Sequence, residues 1–165
     1  MKHEKRYFLF ACLGAIIGGS ALHFLYTALP NPLTALIAPV NESVWEHLKL
    51  LYYPTLLAAY LLSQCTMERQ RLWSGFLLAV LAMPLFLVGV YYLLVCGFGV
   101  EGLLADIGLY VFTMAGGFAL AYAIYRKGVD VRTTGVLLML VIFYGAFLVV
   151  FSFAAPHFGI FLPPQ

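Results

Sequence analysis

Three stretches, 7–29, 72–96 and 136–155, each run for twenty residues or more without an Asp, Glu, Lys or Arg. About 20 apolar residues is the length a helix needs to cross the roughly 30 Å hydrocarbon core of a bilayer. Two further stretches, 44–62 and 103–125, approach or reach that length with few charges: Glu46 and Lys49 in the first, Asp106 in the second. The chain of 165 residues is 64% hydrophobic and 10% charged, against about 45–50% and about 25% in soluble domains. A domain of this size still leaves roughly a third of its surface uncovered, so one globular core cannot hide this much apolar sequence. These proportions exclude a soluble enzyme, a disordered chain and a nucleic-acid binder. Apolar residues also run continuously instead of alternating, which favours helices over a spanning barrel. The expected fold class is all-α: one polytopic domain, 1–165, of five transmembrane helices over 7–29, 44–62, 72–96, 103–125 and 136–155.

The basic residues orient this bundle. Lys2, Lys5 and Arg6 precede the first span, Arg69 and Arg71 lie between the second and third, and Arg126, Lys127 and Arg132 between the fourth and fifth. Eight of the nine Lys and Arg thus fall on one side, and only Lys49 on the other. By the bias of basic residues toward cytoplasmic loops, the N-terminus is cytoplasmic and the C-terminus outside. The basic start followed by an apolar run imitates a secretory signal peptide, and Leu9-Phe-Ala-Cys12 hints at a lipoprotein cleavage box; an uncleaved first span is expected instead. Cys12, Cys65 and Cys96 are far apart with no CxxC pair, and read as packing residues. Gly14 and Gly18 form a GxxxG, and Gly116-Gly117 sit mid-span; packing within the bundle is the expected role, a homodimer contact the alternative. The apolar segment 30–40 is too short to span, and is expected to lie on the outer interface or close over a cavity mouth as a lid.

On this topology the ionisable residues gather at one depth, near the outer surface. His23 belongs to the first span, Glu42, Glu46, His47 and Lys49 to the start of the second, Tyr91 and Tyr92 to the third, Asp106 to the fourth, and His157 follows the fifth. A charge at membrane depth costs about 2.5 kcal/mol or more unless paired or solvated, so their convergence suggests one cavity opening outward. Part of the segment 39–49, PVNESVWEHLK, has a structural job. Ser43 and Glu46 have capping-box spacing, Asn41 is an alternative cap, Glu42 gains from the helix dipole, and Trp45 suits an interfacial anchor. Glu46 and Lys49 have the i, i+3 spacing of a salt bridge. A cap explains Asn41, Ser43 and Glu42 but needs none of Glu46, His47 and Lys49 further down the helix.

Imidazole with carboxylate is a good zinc donor set, and catalytic zinc keeps one position open for water. His23, His47, Asp106 and His157 are the candidate ligands of a divalent metal. Glu46 is the candidate general base, with Lys49, Tyr91 or Tyr92 stabilising negative charge. H-E-x-x-H is absent. Haem on two of the histidines is a lesser alternative, since it needs paired histidines at matched depth on neighbouring spans. The functional expectation is a metal-dependent intramembrane hydrolase acting on a lipid or other membrane-resident substrate. The rival is a non-enzymatic membrane protein, structural, binding or accessory to transport, whose polar layer staples the helices together.

His23-Phe-Leu-Tyr26, the PVNESVWEHLK block followed by Leu50, Leu51 and Pro54, Asp106 at the start of a later span, and Pro156-His157 together resemble a family of small bacterial membrane proteins of unknown function. The resemblance covers nearly the whole chain and rests chiefly on the block carrying Asn41, Glu42, Ser43, Trp45, Glu46, His47 and Lys49. It implies a multi-pass protein of the bacterial cytoplasmic membrane and supplies no activity. The tail, Phe161-Leu-Pro-Pro-Gln165, departs from the family's ending.

Overall fold

The computed structural model describes residues 2–162, with the backbone alone for Lys2 and His3; residues 163–165 of the divergent tail lie outside the described residues. Seven α-helices follow one another: α1 Lys2–Ala28, α2 Pro32–Ile37, α3 Val44–His47, α4 Lys49–Ser63, α5 Arg69–Tyr92, α6 Leu103–Lys127 and α7 Val131–Phe153. A π-helical turn, Leu93–Gly97, extends α5, and a 3-10 turn, Gly159–Phe161, follows α7. No strand occurs among the described residues. Helix satisfies every backbone amide within its own segment, which a hydrocarbon environment demands.

Among the described residues four helices are long and apolar enough to cross a membrane: Glu4–Ala28, Arg69–Gly97, Leu103–Lys127 and Val131–Phe153. They cover the first, third, fourth and fifth expected spans. The expected second span is divided at Leu48 into α3 and α4. At 1.5 Å per residue the 15 residues of α4 reach about 22 Å, short of a roughly 30 Å hydrocarbon core. Outward-facing side chains elsewhere are apolar: Phe10, Leu85 and Phe112 are 66%, 78% and 67% exposed. Such a surface suits lipid better than water.

α4 packs on α1 and α5, α5 packs on α4, α6 and α7, and α6 returns to α1. The common core joins Phe8 and Cys12 of α1 to Leu51 of α4, Phe76 and Met83 of α5, Phe118 of α6 and Leu148 of α7. At Gly75 a methyl group would collide with the Ala121 carbonyl, so α5 and α6 meet backbone to backbone. Small residues at such crossings supply the packing that lipid tails cannot drive by exclusion. Gly14 and Gly18 do otherwise. A side chain at either would meet nothing within 4 Å, so the GxxxG faces open space and not a neighbouring helix of the bundle. Gly128, at φ +75°, closes α6 in a left-handed conformation that side chains disfavour, and Asp130 caps α7. The α6–α7 link needs only three residues.

Candidate metal centre

The centre is built from the chain that joins α1 to α4. Asn31 caps α2: its Oδ1 accepts the amides of Leu33 and Thr34 at 2.9 and 3.0 Å, while its own N–H donates to Thr34 Oγ1 at 3.3 Å. This is a capping box with Thr in place of the usual acid. The carbonyls at the other end of α2 are held from α4. The Lys49 ammonium donates to Ala35 O at 2.7 Å and Ala38 O at 3.1 Å, and the Tyr53 hydroxyl to Leu36 O at 2.7 Å. The segment expected as a lid is therefore a short helix latched down by a buried lysine.

The third Lys49 proton goes to Glu46 Oε2 at 2.8 Å. That carboxylate also accepts the Val40 amide at 2.9 Å and, on Oε1, the Ser152 hydroxyl of α7 at 2.7 Å. Lys49 is 0% and Glu46 2% exposed. Burying two charges is tolerable only when they pair and their remaining hydrogen-bonding capacity is met, and here every ammonium proton and both carboxylate oxygens have partners. Glu46, read as a general base, and Lys49, read as a stabiliser of negative charge, are instead each other's counter-ions. The salt bridge allowed by their spacing is what forms.

Only half of the second capping box forms. Ser43 Oγ accepts the Glu46 amide at 3.3 Å, but the Ser43 amide turns to Asn41 Oδ1 at 2.9 Å because Glu46 is committed to the interior. The Asn41 turn leaves Glu42, between the two caps, at the surface with its side chain 67% exposed.

His23, Glu42 and His47 converge there, each offering one donor atom within 4.8 Å of the others. His47 Nε2 stands 3.3 Å from Glu42 Oε2, and His23 Nε2 3.9 Å from Glu42 Oε1. The rings are tilted by 35° with centroids 5.2 Å apart. Tetrahedral zinc with bonds near 2.1 Å sets its donors about 3.4 Å apart; the His47–Glu42 contact at 3.3 Å already has that spacing, and His23, 3.9 Å from Glu42, must move inward to share the ion. The tautomer of His47 is fixed from behind. Its Nδ1 lies 2.8 Å from Ser43 O, and a carbonyl only accepts, so Nδ1 carries the proton. In the neutral ring Nε2 then directs a lone pair at a carboxylate oxygen. Two acceptors at 3.3 Å repel unless a proton or a cation lies between them. A backbone carbonyl behind a histidine is also the usual second partner of a metal-bound imidazole.

The other expected site residues lie elsewhere. Asp106 is exposed in the first turn of α6, beside Tyr91, and His157 is exposed beyond α7. Neither joins the donor group, which among the described residues is His23, Glu42 and His47. Tyr91 and Tyr92 pack edge to face on each other at the end of α5. Trp45 packs edge-on against Phe151 of α7 and tilted against Phe161 of the 3-10 turn, which makes it a packing residue. The single outward cavity expected from matched depth is thus resolved into a part-exposed His/Glu/His group, a buried ion pair, and a separate edge at Asp106. Sequence reading counted Glu42 among the caps and overlooked Ser152. The signal available for Glu42 was its place between two capping residues, which frees its side chain from the helix face.

Residues 1–163 match the profile of a family described as "Family of unknown function (DUF6512)". The chain belongs to DUF6512. No curated protein and no solved structure matches it, so within this family the donor geometry is what the functional reading stands on.

Proposed function

We propose that this DUF6512 chain is an integral protein of the bacterial cytoplasmic membrane that binds a divalent metal ion, zinc by the chemistry of the donors, through His23, Glu42 and His47 on the outer side. α3 and α4 together form the fifth crossing: Leu48 keeps helical dihedrals (φ −62°, ψ −23°) between them, and the twenty residues 44–63 reach about 30 Å at 1.5 Å each. The N-terminus then lies inside, as the basic residues require. Two histidines and a glutamate with a fourth position open is a zinc set associated with hydrolysis, because a bound water there has its pKa lowered to about 7. Hydrolysis of a membrane-resident substrate is the reaction class this reading favours. The observation that carries it is the convergence of His23, Glu42 and His47, with one donor atom of each within 4.8 Å of the others.

A second reading has its own support. Protonated His47 or His23 would bind Glu42 as an ion pair and staple α1 to the chain before α3, with no metal and no chemistry. Metal analysis of the purified protein separates the two. The metal reading expects about one metal per chain, a chelator-induced fall in melting temperature, and near-complete metal loss in His47→Gln with the helical content retained. His157→Gln, outside the donor group, keeps its metal. A metal-free preparation whose melting temperature ignores chelator, or equal metal loss in both variants, establishes the staple.

A further inference from the structure

We infer that the end of the bundle opposite the metal group binds the phosphodiester head group of an anionic phospholipid, at the corner where α5 begins, α6 ends and α7 begins. The inference rests on the membrane reading above and not on the metal. Arg69 and Arg71 open α5, Arg126 and Lys127 close α6, and Arg132 lies in the first turn of α7; all five are exposed. Neighbouring residues tie these three ends together. Gln70 Nε2 donates to Val129 O at 2.7 Å and lies 3.3 Å from Thr134 Oγ1, which joins the start of α5 to the α6–α7 link and to α7. The Arg71 side chain crosses the open face of Gly128, its Nε 3.1 Å from where a Cβ would stand. Arg71 of α5 is thereby set against the residue that follows Lys127 of α6.

The charge balance of the corner calls for an anion. Its acids are Glu68, which pairs with Arg71 Nη1 at 3.0 Å, and Asp130, whose carboxylate accepts from Thr133 as the cap of α7. An exposed ion pair holds its partners weakly, and a guanidinium has five N–H donors, so Arg71 keeps donors for a phosphate. The apolar residues of the same corner select a lipid over a soluble anion. Met67, 99% exposed, precedes Glu68, and Val131, 73% exposed, precedes Arg132. A free phosphate or a nucleic acid offers such side chains nothing, whereas a phospholipid carries its acyl chains directly beneath its phosphate. Trp73, part-buried and one turn after Arg69, stands where indoles collect at a membrane interface. Basic groups gathered at the ends of neighbouring spans are how membrane proteins hold anionic head groups.

The test places the full chain carrying Trp45→Phe, in which Trp73 is the one remaining tryptophan, in phosphatidylcholine vesicles. Brominated phosphatidylglycerol or brominated phosphatidylcholine is included at equal mole fraction, and quenching of Trp73 fluorescence reads which lipid lies beside it. Phosphatidylglycerol should be preferred about fivefold or more, the ratio that one basic group near a charged surface supplies. Arg71→Gln/Lys127→Gln should lower that preference severalfold, whereas Lys5→Gln/Arg6→Gln, which removes the same charge from α1, should keep most of it. Phosphatidylglycerol retained by the wild-type chain in mild detergent, counted by native mass spectrometry, gives the same comparison without Trp45→Phe. Equal quenching by the two lipids overturns the site, as does a preference lost equally in both double variants, which marks attraction to the basic end as a whole. A preference abolished by inorganic phosphate but not by chloride of equal ionic strength assigns the corner to free phosphate and overturns the lipid. Protein stripped from the vesicles by alkaline carbonate overturns the membrane reading and the site with it; protein that stays inserted without a preference overturns the site alone.

Discussion

Replacing Lys49 by Met keeps the stem of the side chain and removes its charge and three donors. The structure sets the magnitude. The ammonium is fully buried and bonded to Ala35 O, Ala38 O and Glu46 Oε2, so its loss strands a buried carboxylate and frees the two carbonyls that end α2. Breaking one side of a buried ion pair costs about 3–5 kcal/mol. Glu46→Gln alone should also destabilise, since it leaves the ammonium with carbonyls only. In the double variant Lys49→Met/Glu46→Gln no uncompensated charge remains, and the total cost should fall below the sum of the singles by about 1–3 kcal/mol. Unfolding in mixed micelles, titrated with a denaturing detergent and followed by far-UV circular dichroism, measures all three. Metal content supplies a second readout. Val40, held by Glu46, is two residues from Glu42, so Lys49→Met should release metal although Lys49 lies outside the donor group. A Lys49→Met protein within about 0.5 kcal/mol of the parent, with metal retention unchanged, would refute the latch.

Two further predictions rest on single positions. Gly75→Ala should lower stability by about 1–3 kcal/mol despite alanine's better helix propensity, because its methyl group meets the Ala121 carbonyl; Gly14→Ala, which meets nothing, should raise it by up to about 1 kcal/mol, and thermal melts in the same detergent rank the pair. Asp130 accepts hydrogen bonds from the Thr133 hydroxyl and amide, which hold its carboxyl below the ordinary aspartate value. Its contribution is therefore present above the unfolded-state pKa and fades as pH falls through the lowered one, so Asp130→Ala should flatten that acid limb of the melting profile and leave neutral-pH metal content alone.

What could be read from the sequence divides along a physical line. A run of apolar residues specifies helix and approximate depth, because in hydrocarbon the backbone has no other way to satisfy itself; four expected spans accordingly agree with α1, α5, α6 and α7 to within a few residues. Depth is one coordinate of a site. The other is the angle about the bundle axis, and that depends on which small residues let which helices approach. GxxxG at Gly14 and Gly18 is the stronger motif on paper, yet it faces open space, whereas Gly75, in the weaker small-residue pair Gly75-x-x-x-Ala79, meets the Ala121 backbone. Asp106 and His157, expected at the depth of His23 and His47, do not join the donor group of His23, Glu42 and His47.

The same distinction explains Glu42 and Glu46. Their i, i+4 spacing puts two carboxylates on one face only if both are helical, whereas helix begins at Val44. Glu42 precedes the cap and points outward toward two histidines; Glu46, one turn into the helix, points inward toward Lys49, Val40 and Ser152. One segment therefore performs two tasks with the same residue type. The inner carboxylate neutralises a lysine whose remaining protons hold α2 in place, and the outer one completes a donor group that needs α2 and its flanking turn to stay put. The latch is buried and saturated, whereas the outer group is part-exposed, with the His23 and His47 side chains at 29% and 30% and Glu42 at 67%. The metal reading and the latch therefore make different predictions: His47→Gln should lower metal content without unfolding the bundle, and Lys49→Met should lower both metal content and stability.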